Sequence, residues 1–344
     1  MSKLKFTLDP ETKTLSEKDS KRYFSIFGFA AFLLMVMSYV SHYAIGFLLA
    51  HFAPQLLQNA IVNELASILS LYGIAFPIFY LVLRRLPRGV PAASEMGAKN
   101  WWKGLCIAFA FMTAGSYVSN FIISIFDSLM GESLINPVQT MTEGRSFWVN
   151  LIFVAVVAPI LEELLFRKVT CDRLLPLGEG YAIILSAVLF GLVHGNFFQF
   201  FYAAGVGLLF ALVYVKTGKI RYTVVYHCLI NLMGGVIAPW IMERVSPFMT
   251  EEGIARLMEM LENDPLAMMS VWQLYLLPLM LYEGVFLAAT ICGIIFFIRG
   301  IKKLRVTEGL LPPAKEGRVA NVFCNVGVAA ALTVFAVLFL LSLI

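Results

Sequence analysis

Charge is scarce in this chain. Lys, Arg, Asp and Glu make up 14% of its 344 residues, against about 25% in an ordinary soluble domain. A soluble fold of this length would need more charge to clothe its surface. The polar connections are short, which excludes a separate soluble domain. Alternation of apolar and polar residues is missing, which excludes a closed β-barrel. Cysteines are few, odd in number and scattered: Cys106, Cys171, Cys228, Cys292 and Cys324. They exclude a disulfide framework and carry no metal-binding spacing, so they read as small buried hydrophobes. Internal repeats and low-complexity blocks are absent.

What the chain has is apolar length. Apolar residues make up 60% and the mean hydropathy is +0.81. A membrane-spanning helix needs about 20 mostly apolar residues. Segments near 24–50, 65–83, 101–126, 147–170, 181–195, 197–215, 222–242, 272–298 and 320–344 approach that test. The segments 181–195 and 197–215 are the least distinct as separate spans. The expected fold class is therefore all-α, a polytopic membrane protein of eight to nine transmembrane helices. The first apolar run is too long for a signal peptide, and no small-residue cleavage site follows it. Residues 1–22 read as a short disordered cytoplasmic tail.

Basic residues set the expected orientation. The tail carries six, the second connection five, the fourth and sixth three each, and the eighth six. All of these fall on one side of a nine-helix topology. Of the 26 basic residues, only Arg145, Arg244 and Arg256 remain for the other side. The N-terminus is thus expected in the cytoplasm. The net charge of +4 follows from this bias and says nothing about nucleic acid. In the long outer connection, Ile254, Leu257, Met258 and Leu261 recur at helical spacing, which predicts an amphipathic surface helix.

Against this apolar background, "APILEELLFRK" (158–168) stands out. It places Glu162, Glu163 and Arg167 where lipid should be. An acidic side chain at the bilayer centre costs roughly 2.5–3.5 kcal/mol. Four histidines exist. His42 and His51 lie at the outer end of the first helix, where solvation explains them. His194 and His227 are embedded in apolar helices.

Helix geometry tests whether these groups meet. The fourth and fifth helices form a hairpin turning at "PLGEG" (176–180). Glu163 lies 14 residues before Leu177 and His194 17 after it, so their heights differ by only about 4–5 Å. His227 and Asn231 rise to the same layer from the turn at Gly218. Glu163 and Arg167, one helical turn apart, can pair, while Glu162 is rotated by about 100°. Phe190 stands one turn before His194 and can wall its ring. The expected cluster holds two carboxylates, two imidazoles, an amide and a guanidinium.

A desolvated carboxylate can act as a general base on water, an imidazole can share that water, and an amide can donate to an oxyanion. Two histidines and a glutamate are also adequate zinc ligands, although the helical His-Glu-x-x-His pattern is absent. Chemistry alone leaves three readings open: a hydrolytic site, a proton or ion pathway, and structural pairing between helices. Glu283, outside this cluster, is expected to pair with a neighbouring helix.

At these residues the sequence resembles the CPBP family of intramembrane proteases, the CAAX proteases and bacteriocin-processing enzymes also called Abi. Its three motifs match Glu162-Glu163-x-x-x-Arg167, Phe190-x-x-x-His194 and His227-x-x-x-Asn231, in order and on successive helices. The match covers about residues 145–235. One departure is Lys168, where many relatives carry glycine. The resemblance implies peptide-bond hydrolysis, with Glu162 activating water and His194 assisting. It further implies an oxyanion hole from His227 and Asn231, and Glu163 and Arg167 orienting the site.

The expected organisation is a tail (1–22), N-terminal helices (23–144), a catalytic core (145–242), an outer amphipathic segment (243–266) and C-terminal helices (267–344). The expected function is an intramembrane endopeptidase acting on membrane-associated peptides or proteins. The alternatives are a non-catalytic immunity or scaffold protein and a proton- or ion-coupled transporter. Phe190 and Asn196 are expected to contact substrate. No cofactor is required; zinc, if bound, would use Glu162, His194 and His227.

Overall fold

The chain is described here by a computed structural model covering residues 4–142 and 144–343. Ten helices organise it: α1 (Glu17–Phe52), α2 (Ala60–Leu83), α3 (Ala98–Met130), α4 (Phe147–Leu177), α5 (Glu179–Leu192), α6 (Phe197–Thr217), α7 (Ile220–Phe248), α8 (Glu251–Asn263), α9 (Leu266–Ile301) and α10 (Val326–Leu341). Among the described residues no named strand forms.

Seven helices, α1 to α4, α6, α7 and α9, are long and apolar enough to cross a membrane. The other two apolar segments also fold as helices, but short ones: α5 has 14 residues and α10 has 16. At 1.5 Å per residue α5 is about 21 Å long, well below the roughly 30 Å of a hydrocarbon core. It ends at a turn over 193–196, where Gly195 takes a left-handed φ of 67°. Non-helical backbone at membrane depth is tolerated where it lines a cavity, and this turn carries His194.

Proline explains most irregularities in these helices. Wide π turns occupy Leu69–Ala75, Asn150–Val157, Met233–Ile237 and Trp272–Leu276. Each ends two residues before a proline: Pro77, Pro159, Pro239 and Pro278. A proline ring clashes with the preceding turn and donates no N–H, and the widened turn makes room for it. A fifth π turn, Leu164–Cys171, has no proline behind it. It contains Arg167.

Close helix crossings depend on small residues. In the pairing of α1 with α10, a Cβ on Gly327 would lie 1.8 Å from the Ser25 carbonyl oxygen. The crossing of α3 with α6 likewise leaves no room for a Cβ on Gly115, which would meet the Tyr202 backbone at 2.3 Å. Gly327→Leu is expected to cost about 1–3 kcal/mol through overpacking. A lowered unfolding temperature in detergent would register it, and an unchanged one would refute the crossing.

The basic connections meet at one end of the molecule. The Leu4 amide donates to the Arg85 carbonyl, Leu15 to Pro312, Gly89 to Asp172, Ala92 to Val215 and Glu179 to Thr307. From Leu4 onward the N-terminal tail is therefore packed into this end, contrary to the expectation of disorder. Leu15 is 1% exposed, and an Asp9-capped turn folds residues 9–14 back on themselves.

The expected amphipathic helix is α8. It is capped by Thr250, and Ile254, Met258 and Leu261 are exposed. Glu283 corrects an expectation. It is exposed on α9, and no hydrogen bond or ion pair joins it to a neighbouring helix among the described residues. It lies outside the cavity described next.

Candidate active site

A cavity of about 480 Å³ opens between α4, α5, α6 and α7, with α2, α3 and the 131–146 connection completing its wall. Glu162, Phe190, His194, His227 and Asn231 line it. The single layer expected from helix heights is present: the Phe190 ring lies 5.3 Å from the His194 ring and 5.5 Å from the His227 ring.

The two adjacent glutamates have opposite surroundings. Glu163 is fully buried, and its Oε2 accepts from Arg167 Nε at 3.0 Å. Its other oxygen lies 3.1 Å from His227 Nδ1. Arg167 is also fully buried; its Nη1 donates to Ser186 Oγ at 2.8 Å, and Ser186 donates to the Phe166 carbonyl. The guanidinium sits over the Phe190 ring at 5.1 Å, with Phe210 and Phe166 at 5.8 and 6.0 Å. Aromatic faces compensate a desolvated cation, and Nη2 has no hydrogen-bond partner in this cage.

Glu162, a 100° step around the helix, keeps 17% of its side chain accessible at the cavity wall. Tyr72 donates to its Oε1 at 3.3 Å, and His227 Nε2 stands 3.5 Å from its Oε2. His227 thus bridges the pair. Its Nδ1 faces Glu163 and its Nε2 faces Glu162. His194 is held through Nδ1, 2.8 Å from the Phe190 carbonyl. A carbonyl only accepts, so Nδ1 carries the proton and Nε2 is free in a neutral ring.

Asn231 owes its position to Pro159. In the π turn of α4 the Ala158 N–H goes to the Phe153 carbonyl. The next residue, Pro159, has no N–H for the next carbonyl, that of Val154. Asn231 Nδ2 supplies the donor at 3.0 Å. This fixes which way the amide points and leaves its second N–H for another acceptor.

Three expectations change. Asn196 does not line the cavity. It caps α6: its Oδ1 accepts from the Gln199 N–H, and its Nδ2 donates to Gln199 Oε1 and the His194 carbonyl. Its role is to hold the His194 turn. Phe190 does line the cavity but is 2% exposed, so it acts chiefly as a wall between the two imidazoles and Arg167. The trio named for zinc, Glu162, His194 and His227, does not gather as a cage. No three His, Cys, Asp or Glu side chains among the described residues are placed to hold one metal ion. Tyr72 and Ser186 were not anticipated, since each lies outside the matched motifs. Lys168 points to the basic end, toward Tyr214 and Asp172, and away from the cavity.

Residues 144–233 match the family described as type II CAAX prenyl endopeptidase, Rce1-like. The likeness to the Rce1-like family is confined to that segment, about a quarter of the chain. The matched segment spans all three motifs and supplies most of the cavity wall. A putative membrane peptidase of Bacillus subtilis strain 168, YdiL, is 26% identical over 165 residues, covering 46% of this chain and 67% of the relative. The membrane-embedded CAAX protease MroQ of Staphylococcus aureus strain USA300 is 29% identical over 103 residues, covering 28% of this chain and 42% of the relative. No solved structure matches. The Rce1-like segment thus holds the three motifs of the site, while α1, α2, α3, α8, α9 and α10 lie outside it.

Proposed function

We propose that this protein is an intramembrane endopeptidase that hydrolyses peptide bonds of membrane-associated substrates with water activated by Glu162. The observation that carries this is the division of labour between the adjacent glutamates. Glu163 is spent on Arg167 and His227, whereas Glu162 keeps an oxygen edge on the cavity. The Rce1-like match supports the reaction class.

Glu162 and His227 share one proton. With that proton on His227, Glu162 is a carboxylate and can take a proton from water. The free His194 Nε2 accepts the second water hydrogen and aims the oxygen lone pair. Hydroxide adds to the peptide carbonyl carbon. The resulting oxyanion is met by the second N–H of Asn231 and by protonated His227. Glu162 then passes its proton to the leaving nitrogen, the C–N bond breaks, and one water has been consumed. Arg167 and Glu163 hold the imidazole in register and do not exchange protons.

The test is cleavage of a membrane-peptide library by purified protein in detergent. His194→Ala is expected to lower the rate by about 10²-fold or more while the unfolding temperature stays near that of wild type. Metal content measured on the same samples decides whether an ion takes part. Equal cleavage by wild type and His194→Ala would sink the site.

A further inference from the structure

The cavity is closed toward the basic end and open at the other. On each helix that builds it, the neighbouring layer toward the basic connections is sealed. Below Glu162 on α4 lie Phe166 and Arg167, below Phe190 on α5 lies Ser186, below Val206 on α6 lies Phe210, and below His227 on α7 lies Thr223. Every one of these is at most 2% exposed.

In the opposite direction the lining continues without a seal. It passes Ala158, Val154 and Phe153 on α4 and Gln199 and Phe198 on α6. It reaches Asn136, Val138, Met141 and Arg145 in the connection between α3 and α4. At this mouth Arg145 forms an ion pair with Glu64 of α2, and Met141 is 47% exposed.

The seal faces the connections that carry almost all of the basic residues. The mouth carries Arg145, one of the three basic residues outside them. Basic connections stay in the cytoplasm.

We propose that the site is loaded from the extracytoplasmic side, past the Glu64–Arg145 pair, and that its substrates are exported peptides or outward-facing segments of membrane proteins. This rests on the endopeptidase reading for the word substrate, but the direction of the opening is separately measurable.

Single cysteines at Met141 (Met141→Cys), at Ala158 inside the cavity (Ala158→Cys) and at Ala93 in the basic end (Ala93→Cys) would be exposed to a membrane-impermeant maleimide in intact cells. The native cysteines would first be replaced. If that background fails to express, the same substitutions in the wild-type chain can be followed by mass spectrometry of the labelled peptides.

Labelling of Met141→Cys and Ala158→Cys in intact cells, with Ala93→Cys labelled only after lysis, is the expected result. The reverse pattern overturns the proposal. A bulky maleimide placed on Met141→Cys from outside should also abolish cleavage of library peptides added to whole cells. Undiminished cleavage there would overturn the entry route. Labelling needs no catalysis, so its outcome is independent of whether the protein is a peptidase.

Discussion

Glu163→Gln is expected to cost about 3–5 kcal/mol of stability, because it removes one partner of a buried ion pair. Glu163 and Arg167 are both fully buried. Without the carboxylate, the guanidinium keeps Ser186 and three aromatic faces but no counter-charge. His227 would lose the acceptor at its Nδ1 as well. Unfolding in detergent measures the loss. The double substitution Glu163→Met with Arg167→Met removes both charges and is expected to be less damaging than Glu163→Gln alone. A single variant as stable as wild type would mean that the pair is not buried as described.

Glu162→Gln should behave in the opposite way. The amide is nearly the same shape as the carboxylate, the site is partly accessible, and the Gln oxygen can still accept from Tyr72. Stability is expected to hold. Cleavage is expected to fall by about 10²–10⁴-fold, the usual contribution of a general base. A scaffold protein would tolerate this change, since only the base is lost. Cleavage retained in Glu162→Gln would remove Glu162 from the chemistry. Two neighbouring residues of one type, one needed for folding and one for turnover, are a sharper signature than either variant alone.

The site was legible because charge is conspicuous in an apolar helix. Glu162, Glu163, Arg167, His194 and His227 are costly where they stand, and helix rise sufficed to place them in one layer. The nine apolar segments were legible for the same reason. Less visible was how far each helix reaches. The apolar run 181–195 reads like its neighbours, yet Gly195 and the Asn196 cap end α5 early. That cap could have been found: Asn196 with Gln199 three residues on has the spacing of a capping box. Reading Asn196 as a substrate contact overlooked it. Tyr72 and Ser186 left no signal, because a tyrosine or serine in a membrane helix is unremarkable until its partner is known. The tail was misread because polarity suggested solvation. Its polar backbone instead bonds to the basic connections, and Leu15 anchors it.

Pro159 has a consequence for inheritance. The Val154 carbonyl accepts the Asn231 amide because the backbone supplies no donor of its own there. An ordinary residue at 159 would fill that carbonyl from within α4 and release the amide from across the bundle. A proline that touches no substrate and an asparagine more than seventy positions away therefore form one heritable unit. Descendants of this chain are expected to keep both or exchange both together.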